Sequence, residues 1–453
     1  MSGLNIAKRL VTLEAVCKYF VCMISNYVKV SIFQILPSSL IEMLNRFKNL
    51  SKTQKAGFEP IVRGIEHFIT DPSPKSRALL ILSPKAWITA IEETPNISFF
   101  NYTGLTFEIV KSLNENGLSV DVIDFKDPVS SYGNSAEDLT KYNLVVAHGG
   151  HCKELLRHLP SSVPVLQYVA GAYWPVFNIE TGERYENFSK RNEIIELLSF
   201  RRSLAGIVDG ERWLTERANF LFSVDLPRMV ASFGEHQSKF FKTGLGAYLD
   251  RKLSCDKERR DFENGRRNFI YVGGTGGNIQ KGLDVLLEAF SQTPDLNLYI
   301  YCKVEPEIIR YCRSFLNRPN VHYIYHWSRG ARGAAKLAKL IPKVAFSVHA
   351  PINTGLGTAY MASIGSGLIP VGYVDLPSDD SWTVLSDSWE PEDLADSLRK
   401  ASEKSISWCE SASEKAVLTH KKNWSSEAFH SRFVKLIMLA DKGRVLEEEI
   451  LLR

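Results

Sequence analysis

The sequence predicts an α/β protein with two Rossmann-like, doubly wound domains that face a central cleft, preceded by a helical extension. Three observations predict this architecture. Short apolar runs alternate with segments of helical spacing, which is the pattern of βαβ units. This alternation occurs twice, with a charged stretch between the two series. Two runs of the second series lead into glycine-rich stretches, at the strand ends where such sheets bind ligands.

Length and composition agree with a globular protein of two domains and appendages. The chain has 453 residues, of which 44% are hydrophobic and 23% are charged. These values exclude wholesale disorder, collagen-like repetition and a polytopic membrane protein. The net charge of +4 is too small to indicate a nucleic-acid partner. Seven cysteines without a CxxC pair or zinc-site spacing indicate reduced thiols in the cytoplasm and no metal site.

Residues 1–75 are predicted to form the N-terminal helical extension and a linker. Apolar residues recur at helical steps between Leu10 and Val28, but the longest charge-free stretch, Tyr19–Val28, is too short to span a membrane. There is no signal-peptide cleavage site. Either this helix packs on the protein body, or it lies on the inner face of the cell membrane with its basic residues at anionic headgroups. Ser51–Lys75, with three prolines, is predicted to be the linker.

The two domains are predicted from their apolar runs. The first domain, residues 76–255, has predicted strands at Ala78–Leu82, Leu118–Asp124, Leu144–Ala147 and Val163–Val169. The charged stretch Arg251–Arg267 is predicted to be the interdomain linker. The second domain, residues 268–415, has predicted strands at Phe269–Val272, Leu296–Tyr301, Val321–Tyr325, Val344–Val348 and Leu368–Val371, and residues 416–453 form a helical tail.

A glycine-dense turn follows the first strand of the second domain. Gly273, Gly274 and Asn278 lie in it, and Lys281 stands before an amphipathic helix. Glycines allow backbone N–H groups to approach a phosphate, and a lysine supplies the compensating charge. The stretch fits neither the P-loop nor the dinucleotide-binding GxGxxG pattern. A turn with a surface lysine and no ligand is the alternative.

A second glycine-rich stretch lies between a buried strand and a helix of small residues. The unpaired N–H groups and the positive dipole of that helix start suit a diphosphate, although simple packing of the small residues is the alternative. The candidate binding residues here are Asn353, Thr354, Gly355, Leu356, Gly357 and Thr358.

The first domain contributes polar and aromatic candidates at its own strand ends. Thr103 and Gly104 precede a predicted helix, and His148 and His151 follow a strand. The histidines suit hydrogen bonds to a donor or acceptor hydroxyl, or they are turn residues without a role. Tyr168 suits stacking on a sugar face as well as it suits core packing.

Together the two glycine-rich stretches resemble the C-terminal domain of GT-B glycosyltransferases, most closely the glycosyltransferase group 1 family, also called family 4. The family's strand-GR…KG element is matched by Tyr271-Val-Gly-Gly274…Lys281-Gly282. Its EGxG…GxPV element is matched by Thr354-Gly-Leu-Gly357…Gly367-Leu-Ile-Pro-Val371. Both family glutamates are replaced, by Thr354 and Ala362, and Gly274 stands in place of the arginine.

The resemblance implies a retaining, metal-independent transfer of a sugar from a nucleotide-sugar donor, with no further cofactor. It implies that Lys281 contacts the donor phosphate and that Trp327 lies by the nucleotide base. The expected acceptor is a growing glycan or lipid-linked saccharide in cell-surface polysaccharide biosynthesis. The catalytic candidates are Lys281 and, on the acceptor side, His148 and His151. The alternatives are a non-catalytic GT-B-like nucleotide- or glycan-binding subunit and a paired-Rossmann enzyme such as an epimerase.

Overall fold

The structure is a computed structural model. It describes residues 61–69, 76–93, 103–132, 136–194, 205–224, 226–244, 260–273, 277–324, 337–351, 358–376 and 379–441. These residues all belong to one compact unit, Pro60–Arg453. The predicted N-terminal helix lies outside them. Within these ranges, no helix combines the length and the apolar character needed to cross a membrane.

The first lobe, residues 61–244, is built on a sheet of seven strands within the described ranges. Their spatial order is β1-β3-β2-β4-β5-β6-β7. Only the β1–β3 pair is antiparallel among these described strands. The strands are β1 (Ile61–Ile65), β2 (Ser76–Leu82), β3 (Leu118–Asp124), β4 (Leu144–His148), β5 (Val165–Tyr168), β6 (Phe220–Ser223) and β7 (Phe240–Lys242).

Helices cover both faces of this sheet, which explains why its central strands are continuous apolar runs. The helices are α1 (Pro84–Glu93), α2 (Thr103–Glu115), α3 (Pro128–Tyr132), α4 (Lys153–Leu156), α5 (Trp174–Arg191), α6 (Ala205–Arg217) and α7 (Pro227–Ala231). Helix α2 ends at Glu115, directly before Asn116 and Gly117. Gly117 there has a φ of 79° and its N–H donates to the carbonyl of Asn114 at 2.8 Å.

The second lobe, residues 260–441, contains a parallel sheet of the described strands in the order β10-β9-β8-β11-β12-β13. The strands are β8 (Asn268–Val272), β9 (Asn297–Tyr301), β10 (Val321–Tyr323), β11 (Phe346–His349), β12 (Ile369–Gly372) and β13 (Val384–Leu385). The helices are α8 (Phe262–Gly265), α9 (Leu283–Ser291), α10 (Pro306–Tyr311), α11 (Arg313–Leu316), α12 (Thr358–Gly365), α13 (Pro391–Ser402), α14 (Ile406–Asn423) and α15 (Ser426–Asp441).

The last helix returns to the first lobe. On α15, the ring of Phe433 lies 5.0 Å from that of Phe222 on β6. The ring of His430 on the same helix hydrogen-bonds to the hydroxyl of Ser112 on α2, at 2.9 Å. The predicted helical tail is therefore packed against the first sheet as well as following the second.

Each sheet has a point where the strand order reverses. In the first sheet the reversal falls between β2 and β4, and in the second it falls between β8 and β11. Parallel sheets bind ligands at the carboxyl ends of such neighbouring strands. Those ends lead into His148 in the first lobe, and into Gly273 and His349 in the second.

Two segments predicted as linkers contain regular structure. Strand β1 lies within Ser51–Lys75 and pairs with β3 at the edge of the sheet. Helix α8 lies within Arg251–Arg267 and is capped by the side chain of Asp261, which accepts from the N–H of Asn264. Strand β1 has five residues and helix α8 has four, which is too short for an apolar periodicity to indicate them.

Candidate functional site

The turn that carries Lys281 follows β8 and contacts the end of β11. A Cβ atom on Gly282 would lie 2.1 Å from the carbonyl oxygen of Ala350, the residue after β11. Gly282 also has a φ of 79°, which strains any other residue. The N–H of Lys281 donates to the carbonyl of Gly277 at 2.9 Å. Lys281 is therefore placed at the reversal point of the second sheet by a tight turn that requires glycine.

The shape of this turn is set by Glu305. Its two carboxylate oxygens accept hydrogen bonds from the N–H groups of Gly277 and Asn278, each at 2.7 Å. The side-chain oxygen of Asn278 in turn accepts from the N–H of Glu305 at 2.7 Å. Asn278 is fully buried. These two amides are occupied by a carboxylate of the chain itself, so they are not available to an anionic ligand.

A buried histidine lies beside the lysine turn, at the end of β11. The ring of His349 is 4.8 Å from that of Tyr271 and 4.3 Å from that of Tyr360 on α12. Burial and the nearby Lys281 ammonium group lower the pKa of His349 to about 3, against the opposing effect of a backbone hydrogen bond at Val272. The imidazole is therefore neutral at physiological pH and adds no charge next to Lys281.

In the first lobe, the two predicted histidines lie in different surroundings. His148 ends β4, and its Nδ1 is 3.1 Å from the carbonyl oxygen of Tyr168. Burial lowers the pKa of His148, and the bond to that carbonyl opposes the shift. His151 is exposed, in a short helical turn that also contains Cys152. Burial raises the pKa of the Cys152 thiol to about 12, which makes it a poor nucleophile.

A buried carboxyl group next to this turn was missed by the sequence interpretation. Glu211 on α6 is 5% exposed, and its Oε2 accepts from the N–H of Trp174, the first residue of α5, at 2.9 Å. Burial raises the pKa of Glu211 to about 8, although that hydrogen bond opposes the shift. A Cβ on the preceding Gly210 would lie 1.9 Å from the oxygen of Gly150, so α6 packs directly on the histidine turn.

Arginines of the first lobe form ion pairs with carboxylates of the second lobe. On α5, Arg184 donates from Nη2 to Oδ1 of Asp284 at 2.7 Å, and Arg191 donates to Oδ2 of the same carboxylate at 2.5 Å. Asp375, which follows β12, accepts from the N–H of Arg228 at the start of α7, at 3.0 Å. The Arg228 guanidinium also stacks on Tyr373, 4.3 Å from its ring centroid. These contacts fix the first lobe against the elements that follow β8 and β12.

The structure brings some of the predicted site residues together. Asn278 and Lys281 lie in one turn, and Gly273 directly follows β8, where a Cβ on it would lie 2.7 Å from the Tyr271 ring. Thr103 and Gly104 open α2 and are buried. Tyr168 is 3% exposed and lies against Phe222, which favours core packing over stacking on a sugar.

Other predicted residues lie outside the described ranges. They are Gly274, Trp327, Asn353, Thr354, Gly355, Leu356 and Gly357. Thr358 is the first residue of α12, and the structure describes its backbone and not its side chain. The roles assigned to these residues stay predictions, as do those of His148, His151 and Lys281. Among the described residues, no three His, Cys, Asp or Glu side chains cluster as a metal site would require.

Comparison with known proteins finds similar solved structures but no similar sequences. No protein-family model matches the chain, and no curated protein matches it in sequence. The structure of sucrose-phosphate synthase from Thermosynechococcus elongatus superposes with a TM-score of 0.57 at 12% identity, over 81% of this chain and all 100% of that chain. The structure of Anabaena HepE in complex with UDP gives a TM-score of 0.52 at 10% identity, over 80% of this chain and 99% of that one. HepE in complex with UDP and glucose gives 0.50 at the same identity and coverage.

These likenesses define the architecture. The chain has the GT-B fold, in which two Rossmann-like α/β lobes face a central cleft. At identities of 10–12%, the likeness concerns the fold and leaves the activity to be argued from the site.

Proposed function

We propose that this protein is a glycosyltransferase that moves a sugar from a nucleotide-activated donor to a hydroxyl group of its acceptor. The observation that carries the proposal is the position of Lys281. Its turn contacts the residue after β11, at the reversal point of the second sheet. That is the ligand-binding position of parallel sheets, and an ammonium group there suits the diphosphate of a nucleotide-sugar.

In the proposed reaction Lys281 stabilises the departing nucleoside diphosphate. The N–H groups at the start of α12, which follows β11, would add their dipole to this stabilisation. Together these groups can perform the charge stabilisation that a metal ion performs elsewhere, so we propose a metal-independent reaction. A retaining outcome is the expectation from the family resemblance. The fold likeness to HepE, solved with UDP and glucose, supports a nucleotide-sugar donor.

The acceptor is proposed to bind on the side of the first lobe. His148 and His151 flank the carboxyl end of β4 there, at the reversal point of the first sheet. We propose a glycan or a lipid-linked saccharide as acceptor, in cell-surface polysaccharide biosynthesis in the cytoplasm. The amphipathic pattern of the N-terminal segment supports peripheral contact with the inner face of the membrane.

One observation favours a second candidate, a non-catalytic nucleotide- or glycan-binding subunit. Ala362 stands where the resembled family has its second glutamate, and it is fully buried in an apolar cluster with Ile270 and Leu368. The carboxylate that would hold the nucleotide ribose is therefore absent from this position. A subunit that binds a glycan and does not turn over a nucleotide-sugar would not need this carboxylate.

Thermal-shift measurements with nucleoside diphosphates test the proposal. One nucleotide should raise Tm clearly, because a ligand at about 100 times its Kd adds about 2.7 kcal/mol of stability. Lys281→Ala should remove this shift. Lys343→Ala is the matched control, because Lys343 is exposed at the opposite end of β11.

The matching nucleotide-sugar then separates the two candidates. Release of free sugar or its transfer to an acceptor supports the enzyme, whereas binding without turnover supports the binding subunit. If no nucleoside diphosphate or nucleotide-sugar shifts Tm, the enzyme and the nucleotide-binding subunit are both wrong, and only the glycan-binding subunit is left.

A further inference from the structure

Helix α5 connects the histidine turn of the first lobe with the lysine turn of the second. Its first residue, Trp174, donates its N–H to Glu211, beside the histidine turn. Further along the helix, Arg184 reaches the turn of Lys281. Trp174 and Arg184 lie ten residues apart on this helix, which corresponds to a rise of about 15 Å.

Arg184 touches the lysine turn directly. Its side chain is fully buried, and its Nε donates to the carbonyl of Ile279, two residues before Lys281, at 3.2 Å. Its Nη2 donates to Asp284 on the first turn of α9, the helix that starts just after Lys281. The guanidinium also lies 4.5 Å from the ring centroid of Trp389. One side chain of the first lobe thus binds the lysine turn on both sides of Lys281.

Stability alone does not explain this arrangement. The Asp284 side chain is only 2% exposed, so both partners lose their hydration when they pair. Such buried ion pairs are often no more stabilising than apolar residues of similar size. What the pair does provide is a defined geometry, because the N–H donors of a planar guanidinium point in fixed directions. The two acceptors of these hydrogen bonds, the carbonyl of Ile279 and the carboxylate of Asp284, flank Lys281 in sequence.

We propose that Arg184 is a positioning residue, which fixes the Lys281 turn relative to the first lobe so that donor phosphate and acceptor are aligned for transfer. This proposal rests on the proposed function. Displacing a reacting group by about 1 Å can cost on the order of 100-fold in rate. Arg184 therefore affects catalysis through Lys281, without contact to the substrate.

The test separates positioning from stability with the triple variant Arg184→Met/Arg191→Met/Asp284→Leu, because Arg191 binds the same carboxylate as Arg184. Replacement of all three charged groups by apolar residues should leave Tm within about 3 °C of the wild type or raise it. The substrate is the nucleotide-sugar that matches the nucleotide selected by the thermal-shift measurements. With it, we expect kcat to fall about 10- to 100-fold, with a smaller change in the donor KM. Arg184→Lys keeps the charge but cannot reach Ile279 and Asp284 together, so it should show the same pattern at about 3- to 10-fold.

Arg228→Met is the control for loss of an interlobe ion pair. In the described residues, Arg228 interacts with Asp375, Tyr373 and Glu180 and not with the lysine turn, so kcat should stay within about twofold. Unchanged kcat in Arg184→Lys, or an equal fall in Arg228→Met, overturns the positioning role. A wild-type protein that neither binds a nucleotide nor turns over a nucleotide-sugar would instead refute the proposed function, so the two failures are distinguishable.

Discussion

Replacement of Glu211 by glutamine should stabilise the protein, and the gain should grow with pH. The carboxyl group is buried on α6, where it accepts the N–H of Trp174. A glutamine side-chain oxygen can accept the same hydrogen bond without ever ionising. The variant therefore removes the titration of this site and keeps its contact.

The magnitude follows from the pKa in the two states. The pKa of Glu211 is raised from 4.5 to about 8 by burial. Below about pH 4.5 the group is protonated in both states and costs nothing. Between about pH 4.5 and 8 only the unfolded state ionises, so this group lowers the free energy of unfolding as pH rises. At 1.36 kcal/mol per pKa unit, the advantage of the glutamine variant reaches up to about 5 kcal/mol near pH 8 and is constant above it.

Urea unfolding of both proteins across about pH 5 to 9 measures this difference. Glu216→Gln is the matched control, because Glu216 is exposed on the same helix and should give a small difference at every pH. An advantage of Glu211→Gln that is equal at low and high pH would refute the argument, because the carboxyl group would then not be held protonated by the fold.

Three further substitutions test the second lobe by urea unfolding. Gly282→Ala should cost at least about 2 kcal/mol, because φ is 79° and the new Cβ would meet the Ala350 oxygen at 2.1 Å; a smaller cost would mean that the turn can move away from β11. Tyr360→Phe should stabilise the protein by about 1 kcal/mol, because its buried hydroxyl has no hydrogen-bond partner among the described residues. Destabilisation would show that the hydroxyl is bonded. Glu305→Gln should cost at least about 1–2 kcal/mol, because the amide has a single acceptor oxygen, so one of the two charge-assisted bonds to the lysine turn is lost and the other is weakened; an unchanged midpoint would contradict that role.

Much of the fold could be predicted because its central strands are buried on both faces. Ala78–Leu82 and Phe269–Val272 are continuous apolar runs, and both lie within strands of the structure. Strand β1 gives no such signal. It is an edge strand with Arg63 and Gly64 exposed, next to several prolines. Edge strands need apolar residues on one face at most, so their sequences resemble loops.

The candidate site was predictable only where its geometry is local. Lys281 and Gly282 are neighbours in sequence, so the tight turn can be predicted from the glycine that it requires. Glu305 binds Gly277 from 28 residues away, and Arg184 binds Asp284 from 100 residues away. Such pairs follow from how the two lobes meet, which no local pattern encodes. Arg184 in particular stands in a polar stretch that looks like an exposed helix face.

The distribution of buried charge connects these observations. Apolar packing holds each lobe together, but it is non-directional and would allow the lobes to meet in several ways. The contact between them is fixed by Arg184 and Arg191 on one carboxylate, Asp284, and by Arg228 on Asp375. Because a buried charge is costly without its partner, an alternative docking of the lobes would leave these groups unpaired. The ion pairs therefore select one arrangement, and that arrangement is the one in which the Arg184 contacts hold Lys281 in place.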